Sequence, residues 1–316
     1  MSERKRDDVV AQDLRLIPCQ AGGRSYYLDA ASVRAVHRKE EWRLNWRTET
    51  PLGWIQYGGE EVPILDLARA LGVSHTFVAA SAVVVETEAG PKAWGVGGVG
   101  RVVALPEERI LPVPPSCWTE DSPPWLGVVT GEGTQALCVS PQYLGLGDEF
   151  QKPAAPAALL NRPASPARIT GRALLFSSFD GKGRLPEVRF CMGFGQVAEF
   201  VTTPRLVAIP SSRPWLAGLI VWRDRSIPVI NLGWGVTGKA GPVETEDYLI
   251  ARATAEGEFA AVPVFGPPEA VELPFDCDRE YHPSVTSRAW FGAAFKHKHQ
   301  LILTPDFPAI LAAEIK

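Results

Sequence analysis

The sequence predicts an all-β protein built from two related domains. Glycine and proline are abundant, with 29 and 28 among 316 residues, which is about 18% of the chain against a usual level of roughly 12%. Residues of this kind interrupt a chain too often for long helices. Apolar runs are short and have polar ends, as strands do. The chain also repeats itself at a spacing of 165 residues, which is typical of a duplicated domain.

The repeat is clearest between residues 52–67 and residues 217–232. Three pairs of landmarks keep the spacing of 165 positions without a gap, namely Gly53 and Gly218, Pro63 and Pro228, and Leu67 and Leu232. This pattern predicts a first repeat at 13–148 and a second repeat at 169–316. A charged tail at 1–12 precedes them, and prolines at 149–168 favour an extended linker between them.

The local patterns within each repeat are those of short strands and tight turns. Residues 14–18, 81–86 and 247–252 are predicted strands. Glycine-containing pairs and triplets predict turns at 22–23, 58–59, 90–91 and 181–183. One short helix is expected, with Asp66 as its N-cap and Gly72 as its stop. Pro63 and Pro228 are predicted at a strand start or a sheet edge, where no N–H is missed.

Charge and composition exclude several classes of function. A net charge of −4 provides no basic field for a nucleic acid, so no such partner is predicted. The charged N-terminus lacks the apolar region of a secretory signal. Apolar stretches such as 216–222 are far shorter than the roughly 20 residues of a membrane span, so no membrane insertion is predicted. Five scattered cysteines indicate neither disulfides nor zinc. We therefore expect a cytoplasmic protein.

The repeated stretch, a glycine strand followed by V/I-P-V/I-L/I-D/N-L, resembles the signature of the CheW-like domain. That family includes the bacterial chemotaxis coupling protein and the regulatory domain of its histidine kinase. Residues 33–36 and 197–200 are similar to the family's V-x-E-(I/V) stretch. Residues 100–108 resemble a later strand that runs into a P-E turn, and residues 300–304 resemble the closing strand. The resemblance extends along both repeats.

This resemblance implies that each repeat is a pair of small five-stranded SH3-like β-barrels around a shared apolar core, with short helices only. It also implies a non-catalytic signalling adaptor without cofactor or metal. Its partners would be a chemoreceptor signalling tip and the regulatory domain of a histidine kinase. Recognition would then depend on apolar contacts between barrel edges and on a few charges at the rim.

The resemblance also distinguishes the two repeats. The family's N-L-R-G arginine, which helps to organise the receptor-binding surface, corresponds to Arg223 in the second repeat and to Gly58 in the first. Its V-x-E-I glutamate corresponds to Glu199 and to Ala35. The second repeat departs from the pattern at Asp224, where the family has glycine. The predicted partner-binding residues are Val197, Glu199, Trp222 and Arg223, and their first-repeat counterparts, expected to bind another partner or only to pack, are Val33, Ala35 and Gly58.

Motifs typical of nucleotide, metal or catalytic sites occur in the sequence without the neighbouring residues that such sites require. Residues 95–100 fit G-x-G-x-x-G, but β-like residues follow where a dinucleotide site needs a helix. His297 and His299 lack a third metal ligand nearby and are expected in a solvated turn. Cys277 and His282 lie in a loop-like region without an orienting group. Two further cysteines in apolar strands are expected as small buried residues, Cys138 and Cys191.

Nine of the ten tryptophans fall into two predicted groups. Those at or beside repeated motif positions are expected in the core, namely Trp54, Trp125, Trp215, Trp222 and Trp290. Those in segments that read as loops or edges are candidate interface anchors, namely Trp42, Trp46, Trp118 and Trp234.

Two other functions stay open on the sequence alone. The chain could be a scaffold in a two-component pathway other than chemotaxis, with a different partner for the first repeat. In a different class, it could be a small-molecule-binding β-barrel protein or a hydrolase. A ligand that raises the melting temperature would favour the second class, whereas co-sedimentation with receptor arrays would favour the adaptor.

Overall fold

The computed structural model describes residues 13–45, 50–73, 78–118, 122–131, 134–144, 171–179, 188–210, 213, 215–239, 243, 245–254, 257–273, 285–297 and 300–313. The predicted tail at 1–12, the linker at 149–168, the turn at 181–183, Trp46, Cys277, His282 and His299 lie outside these residues. The chain divides into two compact units, 1–113 with 121–152 and 114–120 with 153–316. The domain boundaries at 13–148 and 169–316 stay a prediction.

The first repeat consists of short strands and one short α-helix in the part of it that the structure describes. The strands are β1 (Leu14–Ala21), β2 (Arg24–Asp29), β3 (Val33–Arg38), β4 (Arg43–Leu44), β5 (Gly53–Tyr57), β6 (Glu60–Asp66), β7 (Ser81–Thr87), β8 (Gly90–Val96), β9 (Gly98–Val99), β10 (Val103–Leu105), β11 (Ile110–Leu111), β12 (Trp125–Gly131) and β13 (Thr134–Val139). The helix is α1 (Leu67–Ala70). The predicted strands at 14–18 and 81–86 are confirmed within β1 and β7.

The second repeat has the same kind of elements. Its described strands are β14 (Gly171–Phe176), β15 (Val188–Gly193), β16 (Val197–Thr202), β17 (Leu216–Trp222), β18 (Arg225–Ile230), β19 (Asp247–Arg252), β20 (Phe259–Val264), β21 (Glu269–Leu273), β22 (Phe291–His297) and β23 (Gln300–Pro305). Its α-helices are α2 (Leu232–Thr237) and α3 (Phe307–Leu311). The predicted strand at 247–252 is confirmed as β19.

Each repeat folds into two sheets with a shared order of five strands. In the second repeat the orders are β21-β14-β15-β23-β22 and β16-β19-β20-β18-β17. In the first repeat the corresponding orders are β10-β1-β2-β13-β12 and β3-β7-β8-β6-β5. The two-residue strands β4, β9 and β11 extend the sheets of the first repeat to six and seven strands. The predicted all-β fold with a pair of five-stranded sheets in each repeat is therefore confirmed, with these additions.

The strands alternate between apolar residues that face a core and residues that face outward. In the sheet β16–β20 the inward side chains form one cluster of Ile220, Trp222, Ile227, Val229, Tyr248, Ile250 and Ala261. The matching sheet of the first repeat encloses Trp42, Ile55, Val62, Ile64, Ala79, Ala82, Val84 and Ala93. The period of two along each strand places these residues on one face.

The repeated glycine is explained by a close approach of two backbone segments. A Cβ atom on Gly53 would lie 2.7 Å from the carbonyl oxygen of Arg43, and one on Gly218 would lie 2.6 Å from that of Val207. Real Cβ atoms do not come so close to backbone oxygens. Both hairpins therefore need glycine at the start of their first strand, which accounts for its recurrence at the spacing of 165 residues.

The repeated proline occupies a different place from the predicted one. Pro63 lies inside β6, which pairs with β5 on one side and β8 on the other. Pro228 lies inside β18, between β17 and β20. The prediction of a strand start or an edge is therefore wrong. The parallel pairing of β6 with β8 begins only at Ile64, and that of β18 with β20 only at Val229. Each proline therefore lies just before the parallel hydrogen bonds that its missing N–H would have weakened.

The predicted helix α1 is confirmed, whereas neither α2 nor α3 is predicted from the sequence. The Asp66 side chain accepts hydrogen bonds from the backbone N–H of Ala68 at 2.8 Å and of Arg69 at 3.4 Å. In α2, two glycines lower the helix propensity that sequence reasoning relies on. A Cβ on Gly235 would lie 2.5 Å from the Trp290 ring. Tertiary packing therefore selects a residue that disfavours the helix locally.

The tryptophans are more buried than the sequence suggests. Trp125, Trp215, Trp222 and Trp290 lie in the core as expected, and Trp54 is half-buried. Trp42 and Trp118, two of the candidate interface anchors, are 9% and 7% exposed. That prediction is wrong for both, because each side chain is buried in the structure. Trp234 is half-buried, and its ring centre lies 4.9 Å from that of Trp290.

We predict that Gly218→Ala destabilises the protein by about 1–3 kcal/mol, the usual cost of overpacking, because the new Cβ meets the Val207 carbonyl oxygen. Urea unfolding measures the change. Gly195→Ala is the matched control, because no heavy atom lies within 4 Å of the added Cβ there. Equal midpoints for the two variants would contradict the packing account of the repeated glycine.

Candidate partner-binding site

The site begins at the hairpin between β17 and β18. Its two turn residues, Arg223 and Asp224, have φ of +47° and +56°. The matching turn of the first repeat consists of Gly58 and Gly59, with φ of +62° and +86°. Positive φ at both positions is the geometry of a two-residue hairpin turn whose twist matches that of its strands. The replacement of the family's glycine by Asp224 therefore leaves the turn intact.

Glu199 joins this hairpin to β16. Its Oε2 accepts a hydrogen bond from Nε1 of Trp222 at 2.9 Å and lies 2.7 Å from Nη2 of Arg223. The Arg223 guanidinium carbon stands 4.7 Å from the centre of the Trp222 ring. Three of the four residues predicted for partner binding thus form one contact, in which a carboxylate and an aromatic ring hold the arginine.

A bulge in β16 places the glutamate where this contact needs it. The pairing with β19 shifts between Val197 and Glu199, so that Glu199 lies opposite Ile250. Directly opposite residues in an antiparallel pair share a face, and Ile250 belongs to the apolar cluster. Val197 lies opposite Ala251 instead, on the other face. The fourth predicted residue is therefore outside the contact.

The contact also shows that the sheet is strongly coiled. The strand order places β16 and β17 at opposite ends of the five-stranded sheet. A direct hydrogen bond from Trp222 to Glu199 is possible only if those two ends approach each other. The sheet therefore curls around its apolar cluster as a barrel does.

The first repeat lacks the side chains for this contact. The bulge recurs between Val33 and Ala35, but Ala35 packs against the apolar cluster and Gly58 has no side chain. A different arginine contact occurs at β4–β6. There Nη2 of Arg43 lies 2.9 Å from Oε2 of Glu61, and its guanidinium carbon lies 4.9 Å from the centre of the Trp54 ring.

Sequence reasoning did not single out two aromatic residues beside the contact. Phe200, next to Glu199 in β16, is 43% exposed. The Phe259 ring lies 4.8 Å from that of Trp222. The sequence feature that could have identified Phe200 is its alignment with Val36, another apolar residue. In the structure Val36 is 45% exposed. Both repeats therefore present an apolar side chain to solvent at this position of the end strand.

The chain matches the CheW-like domain family over residues 15–144 and again over residues 183–314. The chain belongs to the CheW-like domain family. Among solved structures it is similar to the scaffolding protein TtCheW from Thermoanaerobacter tengcongensis, at 17% identity and a TM-score of 0.36, covering 46% of this chain and 99% of that one. No curated protein matches the sequence.

Two tandem CheW-like domains define the general role of the chain. Proteins of this family are non-catalytic scaffolds and adaptors. The chain is therefore a scaffold of the chemotaxis type rather than an enzyme. Membership of this family argues against the hydrolase that the sequence alone left open. Within the described residues, no helix is long and apolar enough to cross a membrane.

The remaining chemical motifs take ordinary structural places in the CheW-like domains. Residues 95–100 lie along β8 and β9 with β10 next, so the helix of a dinucleotide site does not follow. His297 ends β22, and its side chain is outside the described residues. No cluster of three or more His, Cys, Asp or Glu suited to a metal ion occurs in the described part of the chain.

The described cysteines are too buried to act as nucleophiles. Burial raises the pKa of Cys19, Cys117 and Cys138 to about 12 and that of Cys191 to about 11. Thiol chemistry needs the thiolate, which is scarce at neutral pH for such groups. The expectation that Cys138 and Cys191 are small buried residues is confirmed.

The Glu199–Arg223 contact orients side chains more than it stabilises the fold. The side chain of Arg223 is 68% exposed and that of Glu199 is 37% exposed. Solvent screens such a pair, and exposed ion pairs contribute about 0.2–1 kcal/mol. Its consequence for a CheW-like domain is an arginine held in a fixed position on the surface.

We predict opposite effects of one exchange at the two hairpins. Asp224→Gly should stabilise the protein by about 0.5–1 kcal/mol, because glycine adopts positive φ without the Cβ penalty. Gly59→Asp, at the matching turn position, should destabilise it by a similar amount. Urea midpoints of the two variants test this. A loss of stability on Asp224→Gly would mean that the aspartate side chain supports the turn.

A second prediction concerns the thiols. Cys19, Cys117, Cys138 and Cys191 should not react with an aromatic disulfide reagent at pH 8 in the folded protein, because each is buried and protonated at that pH. All four should react at once in denaturant, where their pKa returns to about 8.5. Replacing Cys277 with serine first leaves these four as the only cysteines. Fast reaction of the folded variant would show that the strands around them open.

Proposed function

We propose that the chain is a cytoplasmic adaptor that links the signalling tip of a chemoreceptor to the regulatory domain of a histidine kinase through its second CheW-like domain. The observation that carries this proposal is the contact of Glu199 with Trp222 and Arg223, at the positions of the family's glutamate and arginine. Membership of the family supports the coupling role in general. The choice of partners follows from the resemblance of these residues to the family pattern.

The surface around Arg223 has the composition of a protein-binding site. Arginine and aromatic residues are enriched among the residues that dominate binding free energies. Here Arg223 is held in place by Glu199, and Phe200 presents an exposed ring from the same strand as Glu199. An arginine that is already oriented loses less side-chain entropy on binding. We propose Glu199, Trp222 and Arg223 as the partner-binding residues, with Val197 outside their contact.

The first domain is assigned a different role in this proposal. Ala35 and Gly58 cannot reproduce the contact, and Val33 keeps only the bulge. The Arg43–Glu61 pair beside Trp54 gives this domain a surface of its own. A chain with domains at 13–148 and 169–316 would bind a second component at its first domain. The link would then raise the effective concentration of each partner for the other.

The test is binding of the full chain to a kinase regulatory domain and to a receptor signalling fragment. Arg223→Glu should weaken binding by about tenfold or more, because a reversed charge at a central contact opposes association. Arg101→Glu, an exposed arginine of the first domain, is the matched control and should bind as the unchanged chain does. Unchanged binding by Arg223→Glu would refute the assignment to the second domain.

A further inference from the structure

Both CheW-like domains carry a charged rim at the end of one barrel, and the two rims have opposite sign. In the second domain the rim consists of Arg225 and Arg252, around the Phe259 ring. In the first domain the matching positions are Glu60 and Glu86. All four side chains belong to exposed residues.

Strand register establishes that these positions correspond. Arg225 lies opposite Trp222 across the β17–β18 hairpin, and Glu60 lies opposite Tyr57 across the β5–β6 hairpin. Arg252 lies opposite Phe259 between β19 and β20.

Glu86 lies opposite Pro91 between β7 and β8, in the same place as Arg252. The two charges in each domain therefore stand at the same two points of the same fold. The difference between the domains is confined to the side chains.

The charged rim residues lie on the inward-facing side of their strands, one position on that face beyond the last buried residue. Arg225 is two residues before Ile227, and Arg252 is two residues after Ile250, and both isoleucines belong to the apolar cluster. Alternation along a strand places such neighbours on the same face.

In the first domain, Glu60 and Glu86 stand in the same relation to Val62 and Val84. Each rim thus surrounds the end of an apolar core. An aromatic ring lies at that end in each case, Phe259 in one domain and Tyr57 in the other.

The described residues of the two domains supply no opposite charge to these four side chains. Among the described residues, Arg225, Arg252, Glu60 and Glu86 form no ion pair, whereas Arg223 pairs with Glu199 and Arg43 pairs with Glu61. The guanidinium carbons of Arg225 and Arg252 lie 6.0 and 5.9 Å from the centre of the Phe259 ring. Two like charges held around one ring favour an anionic partner.

We propose that the basic rim of the second domain binds the acidic rim of the first domain in another molecule of this chain. The complementary surfaces have the same fold and occur in equal number. Both arginines of one rim are positive and both glutamates of the other are negative, so the pairings among these four side chains are attractive. The basic rim also includes one acidic residue, Asp224, at the turn position that Gly59 occupies in the first domain. With two exposed arginines and one exposed aspartate, this rim keeps a net positive charge.

The contact is head-to-tail, because it joins unlike surfaces of the two molecules, and repeated contacts of this kind build closed rings or open chains of molecules. Because the rim charges are exposed, added salt screens their attraction over about 8 Å at physiological ionic strength. Self-association that weakens as salt increases is therefore expected.

The test is sedimentation velocity of the full chain over a range of concentrations. The unchanged chain should associate, and R225E/R252E and E60R/E86R should each weaken self-association by about tenfold or more, since each gives both rims the same sign. A mixture of these two variants should associate again, because one then supplies acidic rims and the other basic rims. Neither a receptor nor a kinase is present in this experiment, so its result is separate from partner binding at Glu199, Trp222 and Arg223.

Two charge-matched variants away from the rims serve as controls. R101E/R109E and E107R/E108R change exposed residues of the first domain and alter the net charge by the same amounts as the rim variants. Each alone should associate as the unchanged chain does. An unchanged chain that stays monomeric at every concentration would overturn the proposal. A mixture of rim variants that fails to associate would also overturn it.

Discussion

The apolar cluster inside the sheet β16–β20 determines the geometry of the whole candidate site. Seven buried side chains, from Ile220 to Ala261, draw the sheet around themselves. The ends of the sheet approach each other as a result, and Glu199 on β16 can then accept a hydrogen bond from Trp222 on β17. Without that curvature the two strands would lie at opposite sides of a flat sheet, and Arg223 would have no carboxylate to hold it.

The sequence predicts the backbone of this arrangement better than it predicts the side-chain contacts. The recurrence of Gly53 at Gly218 reports a close backbone approach. The pair Gly58–Gly59 reports a turn with positive φ. Such features are local, so a spacing of 165 residues is enough to find them. The environment of Trp42 is not local, because its burial depends on strands distant in sequence.

The same limit applies to the site. Glu199, Trp222 and Arg223 could be selected because they align with a family pattern. Phe259 could not, because it meets Trp222 only through the order of β17, β18 and β20. The helix α2 was missed for a related reason, since Gly235 is required by the ring of Trp290 and not by the helix itself. Where packing overrides local propensity, a single sequence contains no direct signal.

Duplication preserves what the fold requires and leaves the rest free to change. The bulge at the start of β3 and β16, the two-residue turns and the helix caps recur because each satisfies a backbone constraint. Residues that follow the last buried position on the inward face of a strand meet no such constraint. Their side chains reach solvent, while their backbone still pairs with the neighbouring strand. A scaffold without catalytic groups can acquire a new specificity there at little cost in stability. Arg225 and Glu60 occupy such a position with opposite charge, on backbones that are otherwise alike.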